Sequence, residues 1–188
     1  MTFEQIILDV QNCKKCALHK DRTNPVPGDG DPNARIMFIG EAPGYWEDQK
    51  GKPFVGKAGK ILDELLQGIG LQREKVFIGN ILKCRPPNNR NPKPEEIKVC
   101  TPHLDRQLEL IAPAVICTLG NFSTSYILEK FGFATQGISR LHGKIFEKKE
   151  DLFKSFSILA MYHPAAATYN PNMKKTLAED FEILKKYI

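Results

Sequence analysis

The chain has 188 residues, of which 41% are hydrophobic and 26% charged. That suits one folded domain and excludes a disordered, collagen-like or disulfide-stapled chain. A net charge of +5 fits a nucleic-acid partner without requiring one, and no apolar run approaches the roughly 20 residues that span a bilayer. The opening stretch MTFEQIILDVQNC carries no basic region, extended apolar stretch or small-residue cleavage site. The sequence therefore predicts a cytoplasmic protein with no membrane partner.

In chain order, residues 2–10 form a short amphipathic helix, followed at once by Cys13 and Cys16 in a CxxC pair. Residues 35–39 read as a buried strand running into Gly40-Glu41-Ala42-Pro43-Gly44. The helix at 57–69 puts Ile61, Leu62, Leu65, Leu66 and Ile69 on one stripe and ends at Gly68 and Gly70. A second strand at 76–78 runs into Gly79-Asn80, with Cys84 just beyond. Pro94 opens a helix towards residue 110 that contains Cys100, and Pro102 inside it predicts a kink or break. A third strand at 114–119 ends at Gly120-Asn121, and a helix follows at 122–131. A fourth strand at 157–161 runs into Tyr162-His163-Pro164, and 173–187 is the last helix. Apolar strands alternating with helices predict an α/β domain with a parallel sheet between helical layers.

Every strand leaves its carboxyl end through Gly, Pro or polar residues. In open parallel sheets ligands bind at that edge, so Glu41, Asn80 and His163 can converge there from three separate stretches. Each such turn also has an ordinary explanation, since Gly, Asn and Pro favour turns anyway. GEAPG lacks the Gly-Lys-Ser/Thr ending of a phosphate loop and is no GxGxxG fingerprint, which disfavours nucleoside triphosphates and dinucleotides. Glu47 and Asp48 behind it read as solvated charges. Phe54, on a predicted loop, plugs the core or offers a stacking face. Of the four histidines, only His163 ends a strand; His19 and His103 read as surface or helix residues, and His142 lies in a loop with basic neighbours.

Intracellular thiols stay reduced, so a CxxC pair points to metal or redox chemistry before a disulfide. After Cys16, 67 residues intervene before Cys84 and a further 15 before Cys100. Four thiolates at this spacing fit either a tetrahedral zinc or an iron–sulfur cluster. Cys117 lies inside the apolar run AVICTLG and belongs to the core.

GEAPGxxED, the segment Phe54-Val55-Gly56-Lys57-Ala58-Gly59, the run GNILKCRPPNNR, the late Cys100 and the terminal His163-Pro164 occur in that order. With them the chain resembles the family-4, iron–sulfur class of uracil-DNA glycosylase from Cys13 to the last helix. The resemblance implies a three-layer α/β/α sandwich around a central, mainly parallel four-stranded sheet. It implies that Cys13, Cys16, Cys84 and Cys100 ligate a 4Fe–4S cluster tying the N-terminal segment to the sheet. Phe54 would stack on a flipped-out uracil, and Asn80 would read its polar edge. His163 would face O2 of the base, with Gly40 and Ala42 as further substrate-binding positions. Glu41 would orient the attacking water or stabilise the cationic sugar. The partner implied is uracil-containing DNA, single- or double-stranded, bound by a monomer. The segment after His163 would enter the minor groove, with Arg85, Arg90, Lys174 and Lys175 as candidate phosphate contacts. No clamp-binding pattern is evident. A non-catalytic, metal-stapled DNA-binding module on the same fold is the alternative, and the joint presence of Glu41, Phe54, Asn80 and His163 argues against it. Electron transfer is a third reading, which the lack of a compact C-x2-C-x2-C run disfavours.

Overall fold

A computed structural model describes residues 2–149 and 155–188. Its core is a six-stranded sheet in the order β1-β3-β2-β4-β6-β5. The strands are β1 (Asp29–Gly30), β2 (Ile36–Gly40), β3 (Phe77–Asn80), β4 (Val115–Leu119), β5 (Ile145–Lys149) and β6 (Ser155–Met161). The inner four, β3-β2-β4-β6, are mutually parallel and are the four strands expected from sequence. Both edge strands are antiparallel additions. β1 is two residues long and β5 reads IFEKK, so neither carries the apolar run of a buried strand.

Side chains on the inner strands alternate between two cores. Ile36, Phe38, Val115, Cys117, Leu159 and Met161 pack on one face against Leu62, Leu65, Leu66, Leu177 and Phe181. These come from helices α3 (Lys57–Gly68), which follows α1 (Phe3–Gln11) and α2 (Tyr45–Lys50), and α8 (Met173–Glu182), the last α-helix of the chain. Met37, Ile39, Ile116, Ile158 and Ala160 face the opposite core, with Leu104, Leu108, Ile127, Leu128 and Leu141. Those belong to α4 (Pro94–Ile111), α5 (Asn121–Lys130) and α6 (Ile138–Leu141). Burial on both faces explains why these strands are continuously apolar, and it makes the domain an α/β/α sandwich.

α4 runs through Pro102 without the expected break. Pro102 lies on the exposed side of the helix, as does Lys98, whose carbonyl it leaves without a helical N–H partner. The expected helix over 173–187 tightens after Glu182 into a 3-10 turn, Ile183–Tyr187. A short helix, α7 (Ala166–Tyr169), connects β6 to α8.

Candidate active site

A cleft of about 500 Å³ opens at the carboxyl edge of the parallel strands. Glu41, Ala42, Phe54, Asn80 and His163 all line it, together with Glu47 and Tyr169. β2 supplies Gly40 and leads into Glu41, β3 ends on Asn80, and β6 leads into His163. Gly40 is paired in register with Asn80 across β2 and β3. The strand-end convergence expected from sequence is thus present.

Phe54 is buried and has φ of 50°, a left-handed conformation uncommon for a bulky residue. Two contacts hold it there. Glu47 Oε1 accepts from the backbone N–H groups of Val55 and Gly56, both at 2.9 Å. Arg73 donates to the carbonyls of Phe54 and Pro53 at 3.1 and 2.5 Å. Gly59 then lies so close beneath that any side chain would collide with the Phe54 carbonyl. Neither the plugging nor the stacking role excludes the other: the Phe54 ring is 6% exposed yet faces His163, with centroids 5.4 Å apart and planes 25° from parallel.

Asn80 is 2% exposed, and its Oδ1 is a buried acceptor with no hydrogen-bond partner among the described residues. An unmade buried hydrogen bond is costly, so such an atom on the wall of a cleft points to a ligand donor. His163 is partly buried, and its Nδ1 accepts from the Ala165 backbone N–H at 3.1 Å. The ring proton therefore resides on Nε2, which can only donate. Burial pushes the His163 pKa down to about 4, and Glu47 opposes that shift. Burial raises the Glu41 pKa.

Glu47 and Asp48 are not the solvated pair that the sequence suggested. Glu47 braces the Phe54 loop, and Asp48, 3% exposed, accepts from the backbone N–H of Thr23 at 2.9 Å and of Asn24 at 3.4 Å. Asp48 closes the GEAPGxxED motif, but the motif gives no sign of the backbone donors in a distant loop that bury it. Of the basic residues, Arg90 is engaged by both carboxylate oxygens of Glu96 at 2.9 and 2.6 Å. Arg85 lies 5.1 Å above the Tyr45 ring, and Lys174 pairs with Glu64 at 2.5 Å. Lys175 is exposed.

Cys13, Cys16, Cys84 and Cys100 line a second, small cavity with Lys15, His19, Lys83 and His103. None of the four is in a disulfide. Arg22 Nη1 donates to Cys84 Sγ at 3.1 Å and the Lys83 backbone N–H to Cys100 Sγ at 3.2 Å. Lys83 is 1% exposed, and its ammonium donates to the neutral Gln107 Oε1 at 2.7 Å. Burial pushes the Cys100 thiol up to about 12. No three His, Cys, Asp or Glu side chains close on one point as a single metal ion needs, among the described residues. Cys117, 0% exposed, lies in the sheet core as expected.

A family model for the uracil DNA glycosylase superfamily matches residues 27–185. The chain is 50% identical over 188 residues to the type-4 uracil-DNA glycosylase of Sulfurisphaera tokodaii, covering 98% of this chain and 84% of that protein. It is 49% identical over 181 residues to the type-4 uracil-DNA glycosylase of Archaeoglobus fulgidus, covering 96% and 90%. It is 51% identical over 179 residues to that of Saccharolobus solfataricus, covering 95% and 82%. With this likeness along nearly its whole length, on an α/β/α fold whose strand-end cleft gathers Glu41, Phe54, Asn80 and His163, the chain belongs to the type-4 family of the uracil-DNA glycosylase superfamily.

Proposed function

We propose that the protein is a DNA-repair glycosylase that takes uracil out of the DNA stack and hydrolyses its N-glycosidic bond. The products are free uracil and an abasic site. The observation that carries this reading is the unpartnered Asn80 Oδ1 at the cleft wall. Uracil presents N3–H, a donor, beside O4, an acceptor, and the Asn80 amide offers the complementary acceptor and donor. The base reaches this depth only when extruded, which costs a few kcal/mol. Stacking on the buried Phe54 ring and pairing with Asn80 offset that cost.

Bond cleavage leaves negative charge on the uracil ring and positive charge on the sugar. His163 Nε2–H stabilises the first by donating to O2, a preorganised donor aimed at developing charge. Its partner Ala165 keeps the proton on Nε2 throughout. Glu41 serves the sugar side, orienting the attacking water or stabilising the oxocarbenium-like sugar. Gly40 and Ala42 bring backbone against the base.

The four-cysteine cavity is assigned to a 4Fe–4S cluster. Each iron of such a cluster takes one cysteine, so its ligands surround a volume without closing on one point. Buried Lys83 and partly buried Arg22 supply the positive charge that an anionic cluster attracts. When bound, the cluster clamps residues 13–16 to the segment around Cys84 and to α4, across a loop otherwise costly to close.

The test is incubation with single-stranded DNA carrying one uracil, followed by alkaline cleavage at abasic sites. Strand scission at the uracil is expected. Intact strands, with the protein bound to them, would leave the binding-module reading instead.

A further inference from the structure

His103 lies on α4 one turn after Cys100 and is 3% exposed, a helix residue as one of its two sequence readings had it, and buried. Its Nδ1 is 2.8 Å from Arg106 Nη2. A guanidinium only donates, so Nδ1 accepts and the ring proton is on Nε2. Arg106 is itself fixed by Asp9 Oδ2 of α1 at 2.6 Å, which secures this choice of tautomer. Nε2–H is then a buried donor with no hydrogen-bond partner among the described residues. His103 lines the same cavity as the four cysteines.

We propose that His103 Nε2–H donates a hydrogen bond to a sulfur of the iron–sulfur cluster held in that cavity. The proposal rests on the cluster assignment above and adds a tuning residue to it. Two other N–H groups already point at cysteine sulfurs here, from Arg22 to Cys84 and from the Lys83 backbone to Cys100. His103 completes the set from α4. It is not a fifth ligand. Ligation through Nε2 needs a lone pair there, which moves the proton to Nδ1 and sets it against the Arg106 donor. A hydrogen bond to sulfur stabilises whichever cluster state carries more negative charge, so it favours the reduced form and raises the reduction potential.

The experiment uses the full chain purified without oxygen, as wild type, His103→Leu and His103→Gln. Iron and sulfide are quantified first, and the reduction potential is then titrated by visible absorbance. His103→Leu is expected to keep its iron and sulfide and to shift to a more negative potential. His103→Gln, whose side-chain amide N–H reaches the position of Nε2, is expected to restore most of that shift. Equal potentials in wild type and His103→Leu overturn the donor while leaving the cluster in place. Wild type without iron and sulfide overturns the cluster assignment, and the donor with it. Should His103→Leu fail to fold, protein labelled with ¹⁵N-histidine decides. A weak ¹⁵N coupling to the reduced cluster, kept in His19→Gln and lost in His103→Gln, is the expected signal. No coupling, or one as strong as a directly bound nitrogen gives, overturns the proposal.

Discussion

Gly40 and Asn80 face each other across β2 and β3, and no side chain fits between them. A methyl group on Gly40 would collide with Asn80 Oδ1 and lie 2.7 Å from the edge of the Phe54 ring. The glycine is required by space at this position, not by backbone conformation. Gly40→Ala should therefore displace the Asn80 side chain and the Phe54 ring together. Uracil excision is expected to fall by more than tenfold, with a thermal midpoint lowered by only a few degrees, as for a shift of about 1 kcal/mol. Wild-type excision rates in this variant would detach Gly40 from the pocket.

In the proposed mechanism His163 stabilises departing uracil through its Nε2–H, and the lowered pKa keeps the ring a neutral imidazole. His163→Ala should lower kcat by roughly 10²–10³, the loss seen for one oxyanion-type donor, with little change in affinity for the DNA. The pH dependence follows from its lowered pKa of about 4. Between pH 6 and 8 the ring stays neutral, and kcat should show no step with a pKa near 6.5 that disappears in His163→Ala. For stability the unfolded chain binds the proton first as pH falls, because its histidine has the higher, ordinary pKa. This contribution is thus complete above about pH 7 and is lost as pH drops from about 6.5 towards 4. Denaturant midpoints measured across that range should fall more in wild type than in His163→Ala.

The four parallel strands, the main helices and the strand-end position of Glu41, Asn80 and His163 were legible because burial on both faces writes itself as apolar runs. What escaped the sequence was tertiary. β5 is half exposed and charged, so its pairing with β6 has no periodic signature. Asp48 is buried by backbone donors 24 and 25 residues away. The bend that aims Phe54 depends on Glu47 and Arg73; Glu47 stands in the GEAPGxxED motif but reads there as a solvated charge, and Arg73 is marked by no motif. His103 reads as an ordinary helix residue because the cavity it lines is assembled from three separate stretches of chain. The break into two helices, one of the two outcomes expected at Pro102, did not occur: α4 continues through it, with the proline on the exposed side.

The five cysteines should divide sharply on removal. Cys84→Ala deletes a cavity-lining thiol that accepts from Arg22, and it should abolish brown colour, iron and sulfide along with much of the soluble protein. Cys117→Ala removes one small apolar group from the sheet core and should cost only about 1 kcal/mol, leaving colour and excision intact. Iron analysis and urea unfolding of both variants separate the two roles. A colourless wild type made without oxygen and carrying one zinc would overturn the iron–sulfur assignment.

Asn80→Asp tests base reading at a single atom. In the proposed reading the wild-type amide donates to uracil O4 and accepts from N3–H at Oδ1. Cytosine presents an amino donor at position 4 and an acceptor at N3, so the same amide meets donor with donor and acceptor with acceptor. Each buried group left unpaired costs about 1–3 kcal/mol, enough to exclude the normal base from a pocket of this kind. The carboxylate of Asn80→Asp can no longer donate to O4, so uracil excision should fall by roughly 10–100-fold per lost interaction. It can accept from the cytosine amino group, so slow release of cytosine from single-stranded DNA is expected, limited by the missing partner for N3. Asn80→Ala loses uracil excision without that gain. The measurement is abasic-site formation on matched uracil and cytosine oligonucleotides. Unchanged uracil excision in Asn80→Asp would move base reading to another residue, because no pairing of an ionised carboxylate satisfies O4.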